Sequence, residues 1–261
     1  MRRVAMALAL LATAVRPAHA DDPLSRARLL YNQKQFEAAV AAAEEARVMP
    51  ARADAADLVA ARAYLERYRA TLESADLNNA RDRLRRIDPQ HFSPRERMEY
   101  VVGLGETLYF DGAFGAAATV FDSVLQSRDA TSADARERVL DWWATALDRE
   151  AKPRPEMDRQ TAYVRIRTRM EEELAGRPTS GTAAYWLAAA ARTQGDHQAA
   201  WDFAQAGWVR SALAGEHGAA LRDDLDRLVL RGIVPDRAKA TAQSPEALRA
   251  QWELFKERWK R

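Results

Sequence analysis

The residues able to do chemistry are few, and their spacing does not suit it. Four histidines and no cysteine occur in 261 residues. Without cysteine there are no disulfides, thiolate metal sites, cysteine nucleophiles or iron–sulfur clusters. Beyond the first twenty residues the histidines are His91, His197 and His217, and none stands in a His-x-x-x-His or His-Glu-x-x-His context. Those spacings put two imidazoles on one helix face, so a zinc site has no support. Arg222-Asp223-Asp224-Leu225-Asp226 gathers three carboxylates but lacks the glycine turn and closing glutamate of a calcium loop. Beside Arg222 and Arg227 they read as a solvated helix face. Gly103-Leu104-Gly105-Glu106-Thr107 has the glycines of a phosphate loop without its lysine or its preceding strand. Glu106 has the chemistry of a glycosidase general acid, yet no stretch is left over to form the separate catalytic domain such an enzyme needs. No Gly-x-Ser-x-Gly or Ser-x-x-Lys run is present. The expectation is a non-catalytic protein with no metal and no cofactor. Seven tryptophans (Trp142, Trp143, Trp186, Trp201, Trp208, Trp252 and Trp259) are the more suggestive class. Most read as core, and one lining a groove would serve as a hot spot for a peptide.

The elements that position these residues are helices. Alanine, leucine, arginine and glutamate dominate, all strong helix formers, and no segment alternates β-branched residues with period two. Pro23, Pro50, Pro89, Pro94, Pro153, Pro155, Pro178, Pro235 and Pro245 fall between apolar-periodic runs, where a missing N–H does no harm. Ser93-Pro94-Arg95-Glu96 has a capping serine, a proline at the first helical position and a glutamate three residues after the serine. Helices are expected near 24–33, 36–48, 53–71, 76–87, 94–111, 114–126, 132–150, 156–175, 181–194, 197–213, 216–231 and 245–259. Short connections force neighbours to pack antiparallel. The fold class is all-α, with about twelve helices.

Residues 1–20 read as an address. Arg2 and Arg3 precede an apolar run from Val4 to Val15, then Ala18-His19-Ala20, the plan of a secretory signal peptide cleaved before Asp21. The run is shorter than the roughly 20 residues a membrane-spanning helix needs. A lipoprotein anchor would need a cysteine, so none is expected by that route. The segment holds three of the 40 basic residues and none of the 38 acids, which leaves 37 and 38, a formal charge of −1. Basic and acidic residues are interleaved, so nucleic acid is not an expected partner.

Three segments repeat one pattern. Ala27-x-x-Leu30-Tyr31 leads to Phe36-x-x-Ala39-Val40, then Ala43 and Ala46. Gly105-x-x-Leu108-Tyr109 leads to Gly112-x-Phe114-x-x-Ala117, then Phe121 and Val124. Ala188-x-x-Ala191 leads to Gly195-Asp196-His197-x-x-Ala200-Trp201, then Ala204 and Gly207. These segments resemble tetratricopeptide repeats, in which small residues let two helices cross closely. Phe36 and Phe114 are 78 residues apart, Phe114 and His197 83, against a family period of 34. Segments 53–89 and 132–175 therefore read as diverged helix pairs with longer helices.

The resemblance implies a right-handed superhelical solenoid. It divides the chain into a signal peptide (1–20), repeats (21–175) and a degenerate repeat with capping helices (176–261). It further implies a groove lined by the first helix of each repeat: Arg28, Tyr31 and Asn32, then Glu106, Tyr109 and Phe110, then Tyr185, Ala189 and Arg192. Such a lining suits an extended polypeptide or partner protein, and together with the compact secretory signal the expectation is an interaction module of a bacterial periplasm. The alternative is an accessory subunit, or a remote relative, of a cell-wall (peptidoglycan) hydrolase. At the C-terminus, Leu248, Trp252, Phe255 and Trp259 share one helical stripe that would cap the last repeat, with Lys256 among the residues assigned to the wet face.

Overall fold

A computed structural model describes residues 22–127, 132–214 and 218–259. The signal-peptide reading of residues 1–20 and His217 lie outside them. The described residues are helical throughout, without a strand, and the chain divides into two compact units, 1–92 and 93–261.

The first unit holds α1 (Pro23–Asn32), α2 (Phe36–Arg47), α3 (Ala53–Thr71) and α4 (Ser74–Arg86), each packed on the next. The Asp22 carboxylate starts α1 by accepting from the Ser25 N–H at 3.1 Å. The core is built of small side chains: Ala27, Ala43, Ala46, Ala56 and Ala60 are buried together with Val59. Alanine at these crossings lets the backbones approach, at the expense of apolar area per residue. Ion pairs supplement it, with Arg83 donating to Asp57 at 2.7 Å and also meeting Glu44.

The second unit holds α5 (Pro94–Phe110), α6 (Phe114–Gln126), α7 (Ala133–Ala151), α8 (Glu156–Gly176), α9 (Gly181–Thr193), α10 (His197–Arg210), α11 (Gly218–Leu228), α12 (Val234–Thr241) and α13 (Pro245–Trp259). Ser93 and Glu96 close a reciprocal capping box at the start of α5. One core cluster joins Phe121, Leu140, Trp143, Ile166, Met170, Trp186 and Leu187. A second joins Trp201, Leu225, Val229, Ile233, Leu248 and Trp252. Arg136 is buried and forks onto Glu173 at 2.9 and 2.8 Å, while its third nitrogen donates to the Leu125 carbonyl at 3.0 Å. All of its charge is thus compensated inside the fold.

The three repeated segments form hairpins with one backbone turn. Gln33, Lys34 and Gln35 donate to the carbonyls of Leu29, Tyr31 and Leu30. Asp111, Gly112 and Ala113 donate to Thr107, Tyr109 and Leu108, and Gln194, Gly195 and Asp196 donate to Ala190, Arg192 and Ala191. The central residue takes φ of 61°, 78° and 80° in turn, the left-handed region that glycine enters without strain. Beyond each turn the repeated small residue, Ala39, Ala117 or Ala200, has no exposed surface at all.

Two expectations are corrected. Pro235 does not separate two runs: α11 continues through a π turn, Val229–Ile233, directly into α12, with Pro235 in the first turn of α12. A proline crowds the carbonyl four residues back, and the wider turn, in which the Val234 N–H reaches Val229, accommodates the ring. Lys256 is not on a wet face. Its ammonium sits 3.1 Å from Asp226 and 5.3 Å from the centre of the Trp208 ring, and only 15% of its side chain is exposed.

Candidate partner-binding face

Helix α7 carries Glu137, Asp141 and Asp148 at spacings that place them on one side of the helix. Each accepts from a helix further on. Glu137 takes the backbone N–H of Thr182 at the start of α9 at 3.2 Å, and Asp141 takes the indole N–H of Trp186 at 2.8 Å. Asp148 takes the Tyr163 hydroxyl of α8 at 2.5 Å and is paired with Lys152 at 2.7 Å.

Tyr109 of α5 and Tyr185 of α9 stand in the field of these carboxylates. Burial pushes the Tyr109 phenol up, Arg149 opposes, and the charges of Asp141 and Asp148 add to it. Burial likewise pushes Tyr185 up, to about 12, reinforced by Asp224, Asp141 and Asp148. The same two aspartates act on both tyrosines, and each tyrosine has a contact with α7 close by: Arg149 lies against the Tyr109 ring, and Trp186, next to Tyr185, donates to Asp141. Asp141 is itself raised, first by burial and then, against the Trp186 hydrogen bond, by the negative charges of Asp224 and Glu137. Among the described residues its one hydrogen-bond partner is the neutral indole of Trp186.

The other predicted positions divide. Glu106 is buried in α5, one turn before Tyr109 and Phe110. Phe110 is half-buried and edge-on to Tyr109, at 5.6 Å between ring centres. Tyr109 also meets Phe114 at 5.4 Å, with the Arg149 guanidinium 5.7 Å from its ring centre. Arg192 does not sit free on a surface: its Nε donates to Asp236 of α12 at 2.7 Å, and its guanidinium lies where a side chain on Gly232 would stand. In the first unit Arg28 and Asn32 are exposed. Tyr31 is half-buried, packed against Phe36 at 5.7 Å, with Arg62 at 4.3 Å from its ring centre. Tyr31 and Tyr109 thus share a setting, an aromatic from the second helix and an arginine from the third.

The capping stripe is largely internal. Leu248 and Trp252 are fully buried, Trp201 and Trp208 meet Trp252 edge-on at 5.8 and 5.7 Å, and its N–H donates to Asp226 at 2.6 Å. Phe255 stacks on Trp252 at 5.5 Å, and Trp259, at the end of the stripe, keeps 46% of its surface exposed.

The sequence reading missed Glu137, Asp141 and Asp148, and took Asp224 only as part of a solvated helix face. The signal was the spacing of the first three along α7, a segment treated only as a diverged pair. A further cleft of about 510 Å³ lies elsewhere, between the end of α6 and the C-terminal turns of α8. Its arginines are engaged, Arg136 with Glu173, Arg169 with Asp122, and Arg177 with Glu173 at 3.6 Å. No group of three or more candidate metal-binding side chains occurs among the described residues, and no helix there is long and apolar enough to cross a membrane.

No family model, no curated protein and no solved structure matches this chain.

Proposed function

We propose that this chain is an exported, non-catalytic interaction module that binds an extended polypeptide of a partner protein. The binding surface is the face shared by α5, α7 and α9. The observations that carry the reading are contacts along α7: its Arg149 lies 5.7 Å from the centre of the Tyr109 ring, and its Asp141 accepts from Trp186, the neighbour of Tyr185 on α9. Aromatic rings beside carboxylates, ringed by Arg149, Lys152 and Arg227, offer flat apolar area and directional polar contacts together, the composition that peptide grooves use. The resemblance to tetratricopeptide repeats fits this use, with the hairpins stacking as a solenoid whose first helices face the partner. It is supported by the turn that recurs bond for bond in three hairpins.

Residues 1–20 act as the export signal, and the mature protein begins at Asp21 in the periplasm of a bacterium. The support is the basic start, the short apolar run and the Ala18-His19-Ala20 site. Affinity capture from envelope extract tests the function. Wild-type protein should retain a defined partner that a Tyr109→Ala/Tyr185→Ala variant of equal melting temperature releases. Equal recovery by both would refute the assignment of this face, and intact mass on exported material checks the cleavage site.

A further inference from the structure

We propose that the cleft between the end of α6 and the C-terminal turns of α8 binds a small organic carboxylate, held by the guanidinium of Arg169. The cleft encloses about 510 Å³, a volume that suits a small organic molecule better than a bare ion. Its basic residues are engaged but not neutralised one for one. Arg136 grips both oxygens of Glu173, at 2.9 and 2.8 Å, and this pair is buried and forms a fixed wall. Arg177 also reaches Glu173, at 3.6 Å. Asp122 serves two guanidiniums, one oxygen accepting from Arg169 and the other from Arg165 at 3.4 Å. Among the described residues, Arg136, Arg165, Arg169 and Arg177 thus stand against Asp122, Glu172 and Glu173, four positive charges to three negative.

Arg169 is the cation best placed to use that excess. Its one side-chain hydrogen bond among the described residues runs to the shared Asp122. That bond uses one of five N–H donors, and a guanidinium forks onto a carboxylate with two. The side chain is only 20% exposed, with its guanidinium carbon 5.7 Å from the centre of the buried Trp143 ring. Packing against the indole restricts the guanidinium and thins the water around it, so a charge-assisted contact there is stronger than on open surface. The surroundings also set the class of ligand. Glu172 is exposed in the cleft and paired with no cation among the described residues, and the C-terminal ends of α6 and α8 carry partial negative charge. They leave room for one negative charge against Arg169 and oppose a second, which favours a monocarboxylate over a phosphate dianion. The organic part has the Leu125 side of the cleft and open space at Gly176, where a Cβ would meet nothing within 4 Å.

Titration with monocarboxylates of increasing size, with their matched primary amides and with inorganic phosphate, followed by ligand-observed NMR, tests this. At least one monocarboxylate should bind, and its amide should bind about tenfold more weakly, the scale of a charge-assisted fork. Arg169→Gln should weaken that carboxylate about tenfold and leave the amide unchanged, while Glu172→Gln should strengthen it. Gly176→Phe fills the open space without removing an ion pair. It should abolish binding at an unchanged melting temperature, and it decides the point if Arg169→Gln does not fold. Equal binding of carboxylate and amide, tighter binding of phosphate, or a carboxylate affinity unaltered by Arg169→Gln or Gly176→Phe would overturn the assignment. So would the absence of any binding at millimolar concentration.

Discussion

Gly105 yields the space that Phe121 fills: a Cβ on Gly105 would stand 2.5 Å from Cε1 of that fully buried ring. The equivalent pairs in the other hairpins are Ala27 with Ala43 and Ala188 with Ala204, so the middle hairpin has moved volume from its first helix to its second. Gly105→Ala should therefore cost about 1–3 kcal/mol through overpacking, and Phe121→Ala about 3–5 kcal/mol through a cavity. Because the two residues touch, the double variant, which recreates the Ala–Ala pair, should lose clearly less than the sum. Denaturant unfolding of the three variants reads this directly, and strict additivity would show that the contact carries no strain.

The recurring turn predicts an asymmetry between glycine and lysine. Lys34 adopts φ 61° where the other two hairpins use Gly112 and Gly195. Left-handed backbone costs an L-residue about 1–2 kcal/mol, more than the extra chain entropy that glycine loses on folding. Lys34→Gly should raise stability by about 0.5–1 kcal/mol, while Gly112→Ala and Gly195→Ala should lower it by a similar amount. Thermal unfolding that moves the same way in all three would contradict the shared turn.

Trp252 anchors α13 against α10 and α11. Trp252→Ala should cost about 3–5 kcal/mol, from the cavity among Trp201, Trp208 and Phe255 and from the lost donor to Asp226. Truncation after Gln243 should expose that cluster and yield an aggregating or much less stable protein. A truncated chain that stays monomeric and equally stable would make α13 an arm for a partner rather than a cap.

Alkaline pH should unfold the protein through its buried phenols. Tyr163 and Tyr185 are both held neutral to about 12, against an ordinary value of 10.0. A raised folded value means that the unfolded chain releases these protons first. The stability they contribute is full below about pH 10 and is lost as the pH rises toward about 12. Tyr185→Phe should flatten that decline. Asp141 follows the same sign at acid pH: stability falls as the pH rises past the ordinary carboxylate range, and Asp141→Asn removes the slope. Unfolding free energies measured across the two ranges check both.

Helix positions were legible because apolar period and proline punctuation act locally. Ala39, Ala117 and Ala200 were readable as crossing points because small residues recur there at constant offsets, and all three are fully buried. What escaped was non-local. Nothing near Pro235 in sequence signals that a π turn carries the helix past it, since that turn packs against the Arg192 guanidinium 40 residues away. Nor does the spacing of Asp141 disclose that it faces Trp186 and lacks a cation, a fact created by helices from three parts of the chain. Lys256 followed the helical-wheel rule for a charged residue, yet Asp226 and Trp208 draw it inward.

Site-specific photocross-linking tests the central claim most directly. A photoreactive phenylalanine replaces Tyr185 in one protein and Val164, on the exposed side of α8, in another, each expressed with residues 1–20 retained. The account predicts a discrete polypeptide adduct from position 185 that is absent from position 164. Equal adducts from both positions, or none from position 185, would contradict it.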